Sequence, residues 1–119
     1  MRISSAGMPP ALIFREDKNE IEEFVIKGMP LGTFMEYPYE LHETTLNPGD
    51  TILLSSDGYP ELFNDKKELF GYEQMHREFT AVAKSDPGNI IEHLKNTGSA
   101  WVNDRNPDDD VTFVVLKVK

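Results

Sequence analysis

The sequence predicts an α+β fold, with helices packed on one face of a mostly antiparallel sheet. Three observations carry this. The first half of the chain is a series of short apolar runs separated by tight turns. From Tyr72 onward the apolar residues recur at helical spacing. A last apolar run then follows the helices as a returning strand. Strands joined by short turns pair antiparallel, and helices segregated from strands along the chain give the α+β class.

The elements follow in order. Arg2–Ala6 is a short strand closed by Gly7. Pro9-Pro10 leads into the strand Ala11–Arg15, and Asp17-Lys18-Asn19-Glu20 is a hairpin-like turn. Glu22–Lys27 is the return strand. Gly28-Met29-Pro30-Leu31-Gly32 packs two glycines and a proline into five residues, which marks a loop. Tyr37–Leu46 alternates as a half-exposed strand does. Asn47-Pro48-Gly49-Asp50 turns into the strand Thr51–Ser56, which stops at Asp57-Gly58, and one helical turn is expected over Pro60–Phe63. Tyr72, Met75, Phe79, Val82 and Ala83 form one helical stripe. Asp86-Pro87 opens a second helix, with a capping carboxylate and proline at its first position. Its stripe is Ile90, Ile91, Leu94, Trp101 and Val102, interrupted by Gly98 at some cost. After the polar stretch Asn103–Asp110, Val111–Val118 is apolar on both faces and is expected to be central and buried.

The length of 119 residues suits one domain with its own core. Zero cysteines remove disulfide scaffolds, zinc ribbons and thiol catalysis. Twelve basic against twenty-one acidic residues give a net charge of −9, which repels phosphate backbones and argues against nucleic-acid binding. No apolar run is long enough for a transmembrane helix, and no basic segment with an apolar stretch opens the chain, so neither membrane span nor signal peptide is expected. A reducing, cytoplasmic setting fits. The surplus carboxylates suit either hard divalent cations or plain solubility.

Two acidic places stand out. Asp57 falls just past an apolar strand, with Gly58 letting the chain turn. Asp108-Asp109-Asp110 falls just before another. If the two strands are antiparallel neighbours, these carboxylates meet at one sheet edge. Like charges held close are tolerated when a divalent cation lies between them. The competing reading is a turn plus a solvated loop, and spacing alone leaves both open. Elsewhere, His42, His76 and His93 lack metal-ligand spacing, and the serines show no nucleophile-elbow pattern. The Gly28-x-x-x-Gly32 segment lacks what a phosphate-binding loop requires. Trp101 is expected in the core; for Met29, Phe34, Met35 and Tyr37 the readings are an exposed apolar flap and core packing, of which core packing is expected.

Six segments occur in a familiar order: Ser5-Ala6-Gly7-Met8-Pro9-Pro10, Gly28-Met29-Pro30-Leu31-Gly32, Pro48-Gly49-Asp50, Ser56-Asp57-Gly58-Tyr59-Pro60-Glu61, Phe70-Gly71 and Asp109-Asp110-Val111-Thr112. Together they resemble the metal-dependent (PPM, type 2C) protein serine/threonine phosphatases, in the bacterial SpoIIE/RsbU-like branch, along nearly the whole chain. The resemblance implies a β-sandwich flanked by helices and a binuclear Mn²⁺ or Mg²⁺ site. It also implies direct attack of a metal-activated water on phosphoserine or phosphothreonine. By the motif match, Asp57 and Asp109 are metal ligands, and Gly58 and Asp110 are candidates for support beside them. No other catalytic residue is assigned.

The chain also departs from the family pattern. It has no counterpart of the N-terminal Asp-x-x-Gly-His-Gly motif or of the acidic ligand upstream of it, and Met8 stands where histidine is usual. Residues 1–119 are therefore expected to be the C-terminal portion of the phosphatase domain, holding part of the metal site. The implied partner is a phosphorylated regulatory protein, such as an anti-sigma-factor antagonist. The alternative is a non-catalytic, phosphatase-like module that binds a protein. Sheet edges and faces left uncovered in such a portion predict self-association, simplest as a two-fold dimer.

Overall fold

The computed structural model describes residues 1–119. Its elements are β1 (Arg2–Ile3), β2 (Ala11–Arg15), β3 (Glu20–Phe24), β4 (His42–Glu43), β5 (Thr51–Ser55), α1 (Gly71–Val82), α2 (Pro87–Trp101) and β6 (Phe113–Lys117). The main sheet has the order β3-β2-β5-β6, and β1 pairs with β4 in a separate two-stranded sheet. Every pairing is antiparallel. The fold class is the one the sequence predicts.

Strand alternation divides the main sheet into two faces. Leu12 and Phe14 of β2 and Leu53 of β5 face the helices, and Phe113 and Val115 of β6 pack against them. There they meet Met75 and Phe79 of α1 and Ile90 and Leu94 of α2, all fully buried. On the other face, Ile13 and Ile52 are register partners and are also buried. Arg15 shares that face and donates to Thr45 O (2.8 Å) and Thr44 Oγ1 (2.7 Å), tying the chain beyond β4 to the main sheet.

The helices begin where the sequence indicates. Asp86 is the N-cap of α2 in extended conformation, with Pro87 in the first turn, although the Asp86 side chain makes no capping bond. Gly98 has a packing reason: a Cβ there would lie 3.0 Å from Tyr59 Cε2 and 3.2 Å from Leu62 Cδ1. Glu78 of α1 pairs with His93 of α2 at 2.7 Å.

Three expectations are corrected. The last strand, β6, lies at the sheet edge, with Val114 and Leu116 about half exposed. The expected strand over Tyr37–Leu46 is reduced to His42–Glu43. Its only partner is the two-residue β1, and Pro38 has no amide to donate. The 28–41 loop does not join the core. Leu31 is 81% and Met35 93% exposed, and Phe34 is exposed as well. The loop folds on itself instead, with Tyr39 Oη donating to Met29 O (2.8 Å) and the Tyr37 and Tyr39 rings in edge contact at 4.8 Å.

Candidate metal-binding edge

The register of β5 against β6 sets the geometry of the acidic edge. Their last pair is Ser55 opposite Phe113. Beyond it, Ser56 N donates to Thr112 O at 3.0 Å. The Ser56 hydroxyl accepts from Thr112 N (3.0 Å) and donates to Asp110 O (3.1 Å). The two chains thus stay clasped past the strands, and the Asp57-Gly58 turn arrives beside the Asp108–Asp110 loop. At the contact, a Cβ on Gly58 would lie 2.2 Å from Asp110 O. Only glycine allows that approach.

The side chains sort into two adjoining groups. Asp108 and Asp109 line a cavity of about 310 Å³ together with Gly58, Glu61 and Arg105. Asp109 Oδ1 accepts from the Asp110 amide at 2.7 Å. Asp57 is exposed and does not line this cavity. Its neighbourhood is marked by Tyr72, whose phenol is pushed up by burial and further by the charges of Glu61, Asp57 and Glu23. Glu61 therefore belongs to both groups, and Glu61 N donates to Asp57 O at 3.1 Å.

Glu61, Glu23 and Tyr72 are neighbours that the sequence does not single out as site residues, and His76 is one it sets aside. Glu61 had a signal: it stands four residues after Asp57, one helical turn on. Glu23 and His76 had none, because they come together only when β3 packs beside α1. His76 Nε2 is buried without a hydrogen-bond partner and lies 3.6 Å from Glu23 Oε2.

Mn²⁺ and Mg²⁺ prefer six oxygen ligands. Carboxylates are donors of the right chemistry, but no three His, Cys, Asp or Glu side chains of this chain converge closely enough to hold a metal ion. The residues present do not by themselves make a metal site. His42, His76 and His93 form no cluster either. No helix is long and apolar enough to cross a membrane.

Comparison with known proteins bears on the whole length. The family model described as stage II sporulation protein E (SpoIIE) matches residues 1–119. The phosphoserine phosphatase RsbU of Bacillus subtilis (strain 168) is 28% identical over 121 residues, a match covering 98% of this chain and 34% of RsbU. The chain thus spans about a third of that relative's length. The solved PP2C phosphatase domain of Bacillus subtilis SpoIIE, with a fragment of its regulatory domain, superposes with a TM-score of 0.81 at 23% identity. That match covers 98% of this chain and 33% of the other. A second structure of the SpoIIE phosphatase domain, presoaked with Mn, gives a TM-score of 0.73 at 23% identity, covering 98% of this chain and 49% of that one. At such identity the structural likeness establishes the fold.

Proposed function

The chain belongs to the SpoIIE family, and from that premise we propose that residues 1–119 are the C-terminal portion of a metal-dependent serine/threonine phosphatase domain. The substrate class is a phosphoserine- or phosphothreonine-bearing regulatory protein, such as an anti-sigma-factor antagonist. The supporting observation is the clasp of Ser56 onto Thr112 and Asp110, which delivers the Asp57-Gly58 turn to the aspartate loop. In this reading Asp57 and Asp109 are metal ligands, and Mn²⁺ or Mg²⁺ is the cofactor of the complete domain. Gly58 lets the two segments touch, and Asp110 anchors its loop through its carbonyl oxygen. The remaining ligands come from outside this chain, since its own carboxylates do not complete a site. A cytoplasmic location and self-association belong to the same reading.

The test compares two samples. This chain alone should show little or no Mn²⁺-dependent hydrolysis of an aryl phosphate, because two aspartates cannot fill two octahedral metals or bridge them. A longer protein containing it should hydrolyse a phosphoserine protein and lose that activity with Asp57→Asn or Asp109→Asn. Strong turnover by this chain alone would refute the division of the site. Undiminished activity in both variants would refute the ligand assignment.

The alternative reading is a protein-binding module without catalysis. Under it, a longer protein would bind its phosphorylated partner and leave the phosphate in place.

A further inference from the structure

We infer that Asp65 is a positioning residue for the aspartate loop: its carboxylate latches Asn103 and Arg105 and so fixes Asp108–Asp110 against the Asp57-Gly58 turn. The chain leaves α2 through two successive left-handed residues, Asn103 (φ 55°) and Asp104 (φ 58°). Asn and Asp tolerate this region better than other side chains, but the conformation still costs free energy. Two in a row persist only where their surroundings hold them.

Part of that hold is the end of α2 itself, where Asp104 N donates to Ser99 O at 2.8 Å and Asn103 N to Ala100 O at 3.2 Å, and the rest comes from side chains. Asp65 Oδ2 accepts from Asn103 Nδ2 at 3.2 Å, and Asp65 Oδ1 pairs with Arg105 Nε at 3.1 Å. Arg105 Nη2 donates to Phe63 O at 3.3 Å, and Nε also donates to Val102 O at 3.1 Å. One carboxylate thus bridges two residues of the departing loop, and the guanidinium grips backbone on both sides of the gap. The loop carrying Asp65 is itself held. Asn64 Oδ1 accepts from Lys66 N and Glu68 N, both at 2.9 Å, and Trp101 Nε1 donates to Leu62 O at 3.2 Å.

These contacts tie together the two walls of the cavity of about 310 Å³. Arg105, Asp108 and Asp109 form one wall, and Gly58 and Glu61 the other. Asp65 and Arg105 are both more than half exposed, and a single exposed pair holds little. The latch works because its bonds share two side chains. Its bearing on catalysis rests on the reading of Asp57 and Asp109 as metal ligands; the latch itself does not.

Amide hydrogen exchange on the intact protein tests it. Asp65→Ala and Arg105→Ala should each speed exchange at Asp104 and Thr112 by about fivefold, with Leu12 and Leu53 unchanged. The charge-exchanged pair, Asp65→Arg with Arg105→Asp, recovers only the ion pair and loses the bonds to Asn103, Phe63 O and Val102 O, so it should stay faster than the parent, and Asp65→Asn, which keeps one oxygen for Asn103, should fall between the parent and Asp65→Ala. Unchanged exchange in the single variants would overturn the inference, and so would a charge-exchanged protein as slow as the parent. Hydrolysis by the longer protein that survives Asp57→Asn and Asp109→Asn would instead sink the ligand assignment and leave these exchange rates as they are.

Discussion

Asp50 has no solvent exposure and accepts three hydrogen bonds, from Arg15 Nη1 (2.9 Å), Glu16 N (3.1 Å) and Asn47 N (3.0 Å). Burial pushes its carboxyl up, but the two amides and the guanidinium outweigh that and hold it below its ordinary value of 3.8. Its folded pKa is depressed, so its contribution to stability is complete above the unfolded value and is lost as pH falls through the folded one. Asp50→Ala should cost about 1–3 kcal/mol in urea unfolding at neutral pH, because the Glu16 and Asn47 amides lose their acceptor and Arg15 keeps only Glu22 of its two carboxylate partners. The same variant should flatten the acid limb of the stability profile. Tyr59 behaves in the opposite sense. Burial is the largest cause that pushes its phenol up to about 12. Stability should therefore fall between pH 10 and 12 by about 1.4 kcal/mol per unit, because the unfolded chain ionises first. Tyr59→Phe, measured by alkaline denaturation, should remove that slope. Neither group was legible as special in the sequence. Asp50 read as one residue of a Pro-Gly-Asp turn, because its cation lies 35 positions away.

At the scale of elements, α2 contains a conflict between local and tertiary demands. Gly98→Ala gains about 1 kcal/mol of helix propensity. The new methyl meets Tyr59 and Leu62, and the Tyr59 ring is wedged between Phe70 at 4.8 Å and Phe113 at 4.9 Å. A ring so packed cannot yield, and overpacking costs about 1–3 kcal/mol. The variant should unfold at lower urea than the parent, and a gain in midpoint would show that the ring moves. The elements best read from sequence were those whose signals are local. The Asp86-Pro87 helix start and the Asp17–Glu20 turn need no distant partner. Residues 37–46 misled because alternation is also what an exposed, loop-like segment with scattered apolar residues looks like when no neighbouring strand is there to use it. Val111–Val118 misled because apolar residues on both faces describe composition, and sheet position depends on which strands flank it. The site was half legible for the same reason. Asp57 and Asp109 sit at strand ends readable from the apolar runs, whereas Glu23 and His76 depend on how α1 lies against β3.

The whole molecule is flat, 40 × 39 × 20 Å, with a radius of gyration of 15.1 Å. A compact domain of this length would have about 13.5 Å. The excess goes with half-exposed Val114 and Leu116 on the edge strand and the exposed apolar loop around Met35. The charge of −9 opposes association at low salt and is screened at physiological ionic strength. Light scattering at tens of micromolar protein in moderate salt should report a dimer or larger species, and a clean monomer would contradict this. The antiparallel order has a practical consequence as well. Because β2 and β5 run in opposite directions, the turn at Asp17–Asn19 leaves the sheet at the end where β5 begins, and the acidic edge lies where β5 finishes. About 13 Å of strand separates the two. An affinity handle or fluorophore spliced in at Lys18, sparing the Glu16 amide that Asp50 holds, would tether the protein to a surface with its carboxylates facing free solution.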